Sequence, residues 1–484
     1  MKGGIRKVQD NNSTDHLKHG IVLVFIANFI NLAISLVNGF VLPKYLPVDS
    51  YAGIKTYQLY ATYVGVLVLG YADGIYLKYG GKSISSISNK EINTFRTNMI
   101  AFQGIMTILF VFIGFIINDI ILAIAALTLV PANLIQAFKN LLQATGEFKT
   151  YSKLLNYMSI MNFVGSMILL IVFKVQEAYY YVGVMVVVNF IVWFILEFKL
   201  KKAYNYKFGF NLSFSDLKEN IKSGIVLMLG NFSSILMTSI DRWFVKFLLT
   251  VPDFAYYSFV VSTESLITLF INPIVTTMYN YICKLKDYSS LVRIKKMCLI
   301  ISVFLVSVAF PIKFILEVYL KKYYPSVNVL FILFSTEILF MLIKGIYVNV
   351  YKARKQQNLY FKQLVISIII GCIFNAVFYF IFHSIEGIAL ATLISVTIWY
   401  VMCCISVKEI RPDWKEIVIL CVSIVLFILC GMTFWSVIGF AIYVSVMIFL
   451  CTVLMKKEFL GIFSLVKSMV QKRIHRKKPS SDNE

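Results

Sequence analysis

The sequence predicts an all-α polytopic membrane protein with about 14 transmembrane helices. Of its 484 residues, 59% are hydrophobic and the mean hydropathy is +0.79, well above the range of soluble globular domains. Apolar runs of roughly 20 residues, long enough to cross a bilayer core as a helix, recur along the whole chain. The short segments of alternating polarity that build membrane β-barrels are not found in the sequence.

The predicted spans are 20–42, 52–72, 97–117, 120–138, 154–173, 179–198, 225–249, 254–281, 297–318, 327–350, 363–382, 387–405, 417–432 and 437–455. Most of the 46 Lys and Arg residues lie in the tails and in the loops on the same side as the N-terminus. The positive-inside rule therefore places both termini in the cytoplasm. We interpret the net charge of +22 as topology and contact with anionic lipid, and not as a nucleic-acid-binding surface.

The spans predict two bundles of six helices followed by an extra pair. Because six is even, both bundles begin on the inner side, which makes them parallel repeats related by a pseudo-two-fold axis along the membrane normal. The predicted organisation is an N-terminal lobe at 1–202, a cytoplasmic linker helix at 203–222, a C-terminal lobe at 223–408, a transmembrane hairpin at 409–455 and a basic, amphipathic cytoplasmic tail at 456–484.

A polar stripe in the first span recurs in the seventh. The first stripe comprises Asn28, Asn31, Ser35 and Asn38, and the second, 203 residues later, comprises Asn231, Ser234, Thr238 and Asp241. The shared spacing predicts that each stripe follows one face of a helix. Polar groups at membrane depth are costly unless they face protein or water, so we expect both stripes to line a common polar interior.

The sequence does not predict catalysis. It contains neither a glycine-rich phosphate loop nor a Walker pattern, and its four histidines lie in the tails, at a span edge or in an outer loop. The eight cysteines form no CxxC pair, so neither a metal site nor a disulfide is predicted. We expect no cofactor and no enzymatic activity.

Charged and polar residues inside the spans are the candidate functional residues, because charge at membrane depth is expensive to keep. The candidates for binding substrate in a cavity are Lys55, Asp73, Arg242, Lys246, Lys344, Asn31 and Asn38. The candidates for coupling transport to an ion are Asp241, Glu264 and Glu337. Arg and Lys suit phosphate or pyrophosphate, and a carboxylate can take up a proton or a sodium ion.

Structural roles compete with these functional ones. Lys55 and Lys246 lie close enough to the outer interface for their ammonium groups to reach it, as we also expect for Lys313. Glu337 and Lys344 are seven residues apart, on one helix face, where they could form a structural ion pair.

Two motifs resemble those of bacterial polysaccharide flippases. The first is Gly-Tyr-Ala-Asp-Gly-Ile-Tyr-Leu-Lys-Tyr-Gly-Gly-Lys at 70–82, where span two ends. The second is Ile-Asp-Arg at 240–242 in span seven, followed by Ala-Tyr-Tyr-Ser at 255–258. This family exports O-antigen and capsule repeat units and belongs to the multidrug/oligosaccharidyl-lipid/polysaccharide exporter superfamily. The six-plus-six layout extends the resemblance over nearly the whole chain.

The resemblance implies two lobes that work by alternating access in the bacterial inner (cytoplasmic) membrane. The implied substrate is an undecaprenyl-pyrophosphate-linked oligosaccharide, and the implied partners are membrane lipids, a polysaccharide polymerase and glycosyltransferases. Asp73 and Arg242 fall on positions of the family's motifs, although Asp73 could also cap a helix end. The alternative is a cation-coupled multidrug or metabolite antiporter of the same fold, which Asp241 and Glu264 favour.

Overall fold

A computed structural model describes residues 30–204, 207, 209–283 and 288–462, and all regular secondary structure in these ranges is helical. Nine of the described helices are long and apolar enough to cross a membrane, or ten if the bent pair Ile120–Ala126 and Leu129–Ala144 is one span. The predicted fold class is confirmed, and the chain is a multi-pass membrane protein. Several other predicted spans are present as shorter or broken helices, so the structure is compatible with 14 spans.

The chain divides into two compact units, Met1–Leu236 and Met237–Glu484. The helices of the first unit are α1 (30–45), α2 (Val48–Tyr63), α3 (Tyr71–Tyr79), α4 (Asn89–Ile116), α5 (Ile120–Ala126), α6 (Leu129–Ala144), α7 (Phe148–Met167), α8 (Ala178–Tyr204) and α9 (Phe214–Met237), which ends at the division. The sequence predicts the lobe boundary earlier, in the linker at 203–222, and the predicted domain boundaries remain predictions.

All regular secondary structure in the described ranges of the second unit is also helical. Its helices are α10 (Ile240–Leu248), α11 (Val251–Ile282), α12 (Tyr288–Leu305), α13 (Ala309–Val318), α14 (Val327–Leu342), α15 (Val348–Ala353), α16 (Gln357–Phe382), α17 (Ile385–Ser406), α18 (Trp414–Thr433) and α19 (Ser436–Leu454). The continuous helical stretch Lys321–Ala353, which contains α14, is 94% buried over its most apolar part. α14 is therefore the central helix of this unit, and α11, α12, α17 and α18 pack around it.

The second predicted span, 52–72, is broken near its end. A short 3-10 helix, Val64–Val68, follows α2, and then Leu69 and Gly70 both take left-handed backbone conformations, with φ of 51° and 83°. A helix break leaves carbonyl groups without their helical donors. Two buried amide side chains supply replacements: Gln103 Nε2 donates to Leu67 O at 3.1 Å, and Asn133 Nδ2 donates to Val64 O at 3.2 Å.

α3 and the start of α9 approach one another backbone to backbone. A Cβ added to Gly224 would lie 2.1 Å from the carbonyl oxygen of Gly70, so only glycine fits there. Polar contacts reinforce the approach, because Asp216 accepts hydrogen bonds from Tyr71 Oη at 2.8 Å and from Lys78 Nζ at 2.9 Å. The beginning of α9 is therefore fixed to the first unit.

The segment that precedes α9 is bound along the polar face of α4. Gly209 N donates to Asn93 Oδ1 at 2.8 Å, and Ser213 and Asn98 exchange two hydrogen bonds of 3.0 and 2.9 Å. Ser213 Oγ then accepts from Asp216 N at 3.3 Å, as an N-cap does. The residues of the predicted linker from Phe214 onward form the first section of the long helix α9 and do not form a separate short helix.

The seventh predicted span is also interrupted. α9 ends at Met237, a turn occupies residues 238 and 239, and α10 begins at Ile240. The prediction that the second polar stripe follows one continuous helix is therefore wrong, because Asp241 lies on a different helix from Asn231. Neither Gly nor Pro occurs in the turn, so the usual sequence signal for a break is missing. In the first stripe, Asn28 lies outside the described residues.

Candidate substrate and ion sites

The second unit contains a buried carboxylate at the start of α10. Asp241 is 6% exposed and lies in the first helical turn, where unpaired N–H groups favour a negative charge. Its Oδ2 accepts a hydrogen bond from Tyr257 Oη at 2.6 Å, and its Oδ1 accepts one from the backbone N–H of Arg242 at 2.8 Å. Both oxygens are thus engaged by donors from α10 and α11.

Two predicted substrate-binding cations follow on the same helix. Arg242 is half-buried, and its Nε is a buried donor that finds no hydrogen-bond acceptor in the described part of the chain. Lys246, one turn later, places its Nζ 6.0 Å from the centre of the Phe247 ring. Arg242 therefore retains donor capacity at membrane depth, where an unpaired donor is costly in the absence of a ligand.

The remaining ionisable candidates of the second unit converge inside it. Glu264 on α11 accepts a hydrogen bond from Thr336 Oγ1 at 3.4 Å. It also interacts electrostatically with Glu337, Asp241 and Lys344. The structure therefore brings together the three predicted ion-coupling carboxylates and one predicted cation.

Lys344, the cation near Glu264 and Glu337, has both polar and aromatic neighbours. Glu337 on α14 is 3% exposed and interacts with Lys344, whose Nζ lies 4.2 Å from the centre of the Phe340 ring. Lys344 lies near both Glu264 and Glu337, and one ammonium group balances only one of these two carboxylates. The group can therefore accept a further cation or a proton.

The first unit holds the other predicted cation and carboxylate on different helices. Lys55 Nζ donates to Gln58 Oε1 at 3.0 Å and lies 5.0 Å from the centre of the Tyr51 ring on α2. Asp73 on α3 is half-buried, and its Oδ1 accepts a hydrogen bond from Asn231 Nδ2 at 3.4 Å. A member of the second polar stripe thus contacts Asp73.

The first polar stripe has unsatisfied oxygens. Asn31 and Asn38 are half-buried on α1, and the Oδ1 atom of each is buried without a hydrogen-bond partner among the described residues. Ser35, on the same stripe, is exposed. Amide oxygens at membrane depth that lack donors are suited to hydroxyl-bearing ligands or water.

Sequence reasoning missed or misplaced several buried polar residues. The prediction that Lys313 reaches the outer interface is wrong: it is 2% exposed, and its Nζ donates to Gly431 O at 2.8 Å. Its acceptor is 118 residues away in the chain, which hydropathy cannot reveal. Tyr257, which holds Asp241, was recognised only as part of a motif. The position of Tyr257 in the sequence of α11 does not indicate its hydrogen bond to Asp241.

Comparison with known sequences identified no relative. No family model matches the chain, and no curated protein matches it significantly.

Comparison with solved structures does identify relatives of the fold. The lipid II flippase MurJ in an inward closed conformation matches with a TM-score of 0.68 and 16% identity, over 89% of this chain and 98% of the MurJ chain. A multidrug resistance MATE family transporter of the MOP superfamily, in an inward-facing conformation, matches with a TM-score of 0.56 and 12% identity, over 79% of this chain and 98% of the other. The chain therefore shares its fold with these two proteins.

Proposed function

We propose that the protein is a flippase that moves an undecaprenyl-pyrophosphate-linked oligosaccharide repeat unit across the bacterial cytoplasmic membrane by alternating access. The fold it shares with MurJ supports a lipid-linked substrate. As the resemblance to polysaccharide flippases implies, the substrate in this proposal moves from the inner to the outer leaflet. Partners in this proposal are membrane lipids and the polymerase and glycosyltransferases of the same polysaccharide.

One observation carries the proposal, namely the unsatisfied Nε of Arg242. A guanidinium group offers several donors in a rigid plane that matches phosphate oxygens. Asp241 beside it is already engaged by Tyr257, so Arg242 can pair with an incoming anion. A pyrophosphate is the group of the proposed substrate that such a donor recognises.

The other candidate residues take complementary roles in this proposal. The residues proposed to contact the pyrophosphate or the sugars are Lys55, Asp73, Lys246, Lys344, Asn31 and Asn38. Those proposed to couple transport to an ion are Asp241, Glu264 and Glu337, since they lie close enough together to interact. No residue has a catalytic role, because flipping neither makes nor breaks a covalent bond.

Replacing Arg242 tests the proposal in cells. We expect Arg242→Ala to reduce surface polysaccharide by about ten-fold or more at equal protein abundance, because one charged hydrogen bond is worth about 1.5–3 kcal/mol. Lys352→Ala, an exposed cation of the same unit, should leave export unchanged. Undiminished export by Arg242→Ala at equal abundance would overturn the role given to Arg242.

The second candidate function is a cation-coupled multidrug or metabolite antiporter. The interacting carboxylates around Glu264 favour it, as does the fold shared with the MATE transporter. In that case export of a hydrophobic cation would require an ion gradient and would be lost in Glu264→Gln. The flippase proposal accounts better for Arg242, because a guanidinium group repels a cationic drug.

A further inference from the structure

Lysines of α12 bind the helix pair α18–α19 near the start of α18. Lys295 is fully buried, and its Nζ lies 2.8 Å from Glu416 Oε2 and donates to Ile410 O at 2.7 Å. The neighbouring Lys296 Nζ lies 2.6 Å from Asp413 Oδ2, and Asp413 Oδ1 accepts from the backbone N–H of Glu416 at 2.8 Å. The carboxylate that caps α18 therefore also binds a lysine.

The charge state of Asp413 agrees with this contact. Burial alone would raise its pKa, but the hydrogen bonds from Lys296 and from the Glu416 N–H outweigh burial and hold the pKa of Asp413 below its ordinary value. Asp413 is therefore an ionised partner for Lys296 near neutral pH.

A second contact binds the turn between α18 and α19. Lys313 Nζ donates to Gly431 O at 2.8 Å and to Phe434 O, at the C-terminal end of α18. Glu317, one turn later on α13, accepts from Ser436 N at 3.2 Å and from Ser436 Oγ at 2.6 Å, at the start of α19. The Lys313 ammonium group thus lies at the free carbonyl groups that end α18, and the Glu317 carboxylate lies at the free N–H groups that begin α19. Each charge is opposite in sign to the partial charge of the helix end that it contacts, which is favourable.

Aromatic side chains also pack the helix pair α18–α19 against α13 and α14. The rings of Phe310 and Tyr443 lie 5.9 Å apart, and Tyr443 Oη donates to Val303 O at 2.9 Å. Gly431 lies so close to the Phe331 ring that an added Cβ would be 2.1 Å from it. The helix pair therefore has no room to shift along α13 and α14 without losing both the packing and the ion pairs.

We propose that Lys295, Lys296 and Lys313 are docking points that hold α18–α19 as a fixed part of the second unit. If the pair separated from α12 and α13, Lys295 would lose Glu416, Lys296 would lose Asp413 and Lys313 would lose the carbonyl groups of Gly431 and Phe434. For the buried Lys295 and Lys313 this loss is strongly unfavourable. The acceptors lie 115 to 121 residues after the lysines. Docking of the helix pair is therefore a late and obligatory step of assembly, and the pair moves with the second unit during transport.

Native cysteines on the helix pair report docking in the full-length protein. Cys430 and Cys451 are 1% and 0% exposed, whereas Cys421 on the same pair is exposed. In detergent, N-ethylmaleimide should modify Cys421 of the wild type at least ten-fold faster than the other two, as measured by mass spectrometry. Glu416→Leu, which removes the carboxylate partner of Lys295, should abolish this difference by exposing Cys430 and Cys451.

A compensating variant separates docking from general loss of folding. In Lys295→Met with Glu416→Leu, an apolar pair replaces the ion pair, and protection of Cys430 and Cys451 should return together with protein abundance. Glu409→Leu, which removes a half-exposed partner of Arg354, should change neither. Unchanged protection in Glu416→Leu would overturn the proposal. Failure of the double variant to recover protection and abundance would also overturn it, even if Glu416→Leu alone yields no protein.

Discussion

Three buried polar residues of this protein, Gln103, Asn133 and Asp241, form hydrogen bonds with partners on other helices. Gln103 and Asn133 are fully buried and are joined to each other by a hydrogen bond of 2.7 Å, and together they serve the carbonyls freed by the break in span two. Asp241 on α10 likewise accepts a hydrogen bond from a side chain of another helix, Tyr257 on α11. At membrane depth no water replaces a lost donor, so each of these side chains has a large effect on stability.

Replacing Asn133 tests this dependence. Asn133→Leu keeps the branched outline and the number of heavy atoms of the side chain but leaves the oxygens of Val64 and Gln103 without this donor. An unsatisfied buried acceptor costs about 1–3 kcal/mol. We expect the midpoint of thermal unfolding in detergent to fall by several degrees. Thr452→Val is the control, because this exposed hydroxyl bonds only to its own helix at Ile448 O. Equal midpoints for both variants and the wild type would contradict the account.

The sequence reveals which residues are unusual but not which of them meet. Arg242, Glu264 and Glu337 are predictable because charge stands out in an apolar segment. Their neighbours Thr336 and Tyr257 are not predictable, because both residue types are common in such helices. The same limit explains the error at Lys313, whose acceptors belong to a turn more than a hundred residues away.

At the scale of helices, spans two and seven are both broken, and the first of these breaks defines how α3 and α9 pack in the first unit. The break at Leu69 and Gly70 lets α3 turn away from α2 and meet α9, where glycines on both helices permit backbone contact. Hydropathy predicts one span in each place, because a broken helix remains as apolar as a straight one. Gly70 is a sequence signal for the break in span two, whereas the turn at residues 238 and 239 contains neither Gly nor Pro to signal the break in span seven.

Two glycines of α9 offer a matched test of this contact. Gly224→Ala would place its Cβ 2.3 Å from Gly74 N, whereas a Cβ at Gly230 meets nothing within 4 Å. Overpacking costs about 1–3 kcal/mol, which should exceed the gain of up to about 1 kcal/mol in helix propensity. We expect a lower unfolding midpoint for Gly224→Ala and an equal or higher one for Gly230→Ala. A stabilised Gly224→Ala would show that α3 and α9 are not in close contact.

At the scale of the whole molecule, composition and charge distribution were sufficient to predict a polytopic helical membrane protein. The fold shared with MurJ and the MATE transporter agrees with that prediction. Substrate choice is not predictable in this way, because it depends on how side chains from distant helices combine. In the flippase proposal, the buried donor of Arg242 favours a lipid-linked anion as cargo, whereas the carboxylates around Glu264 favour the alternative, a cationic drug.

Reconstitution of the purified protein in liposomes tests the central claim most directly. The measurement is the transfer of a fluorescent undecaprenyl-pyrophosphate-linked oligosaccharide between leaflets, with a hydrophobic cationic dye assayed in parallel under the same ion gradients. We predict that the protein accelerates transfer of the lipid-linked oligosaccharide well above the rate in protein-free liposomes and does not export the dye. Dye export that depends on an ion gradient, with lipid-linked oligosaccharide transfer no faster than in protein-free liposomes, would contradict the flippase account.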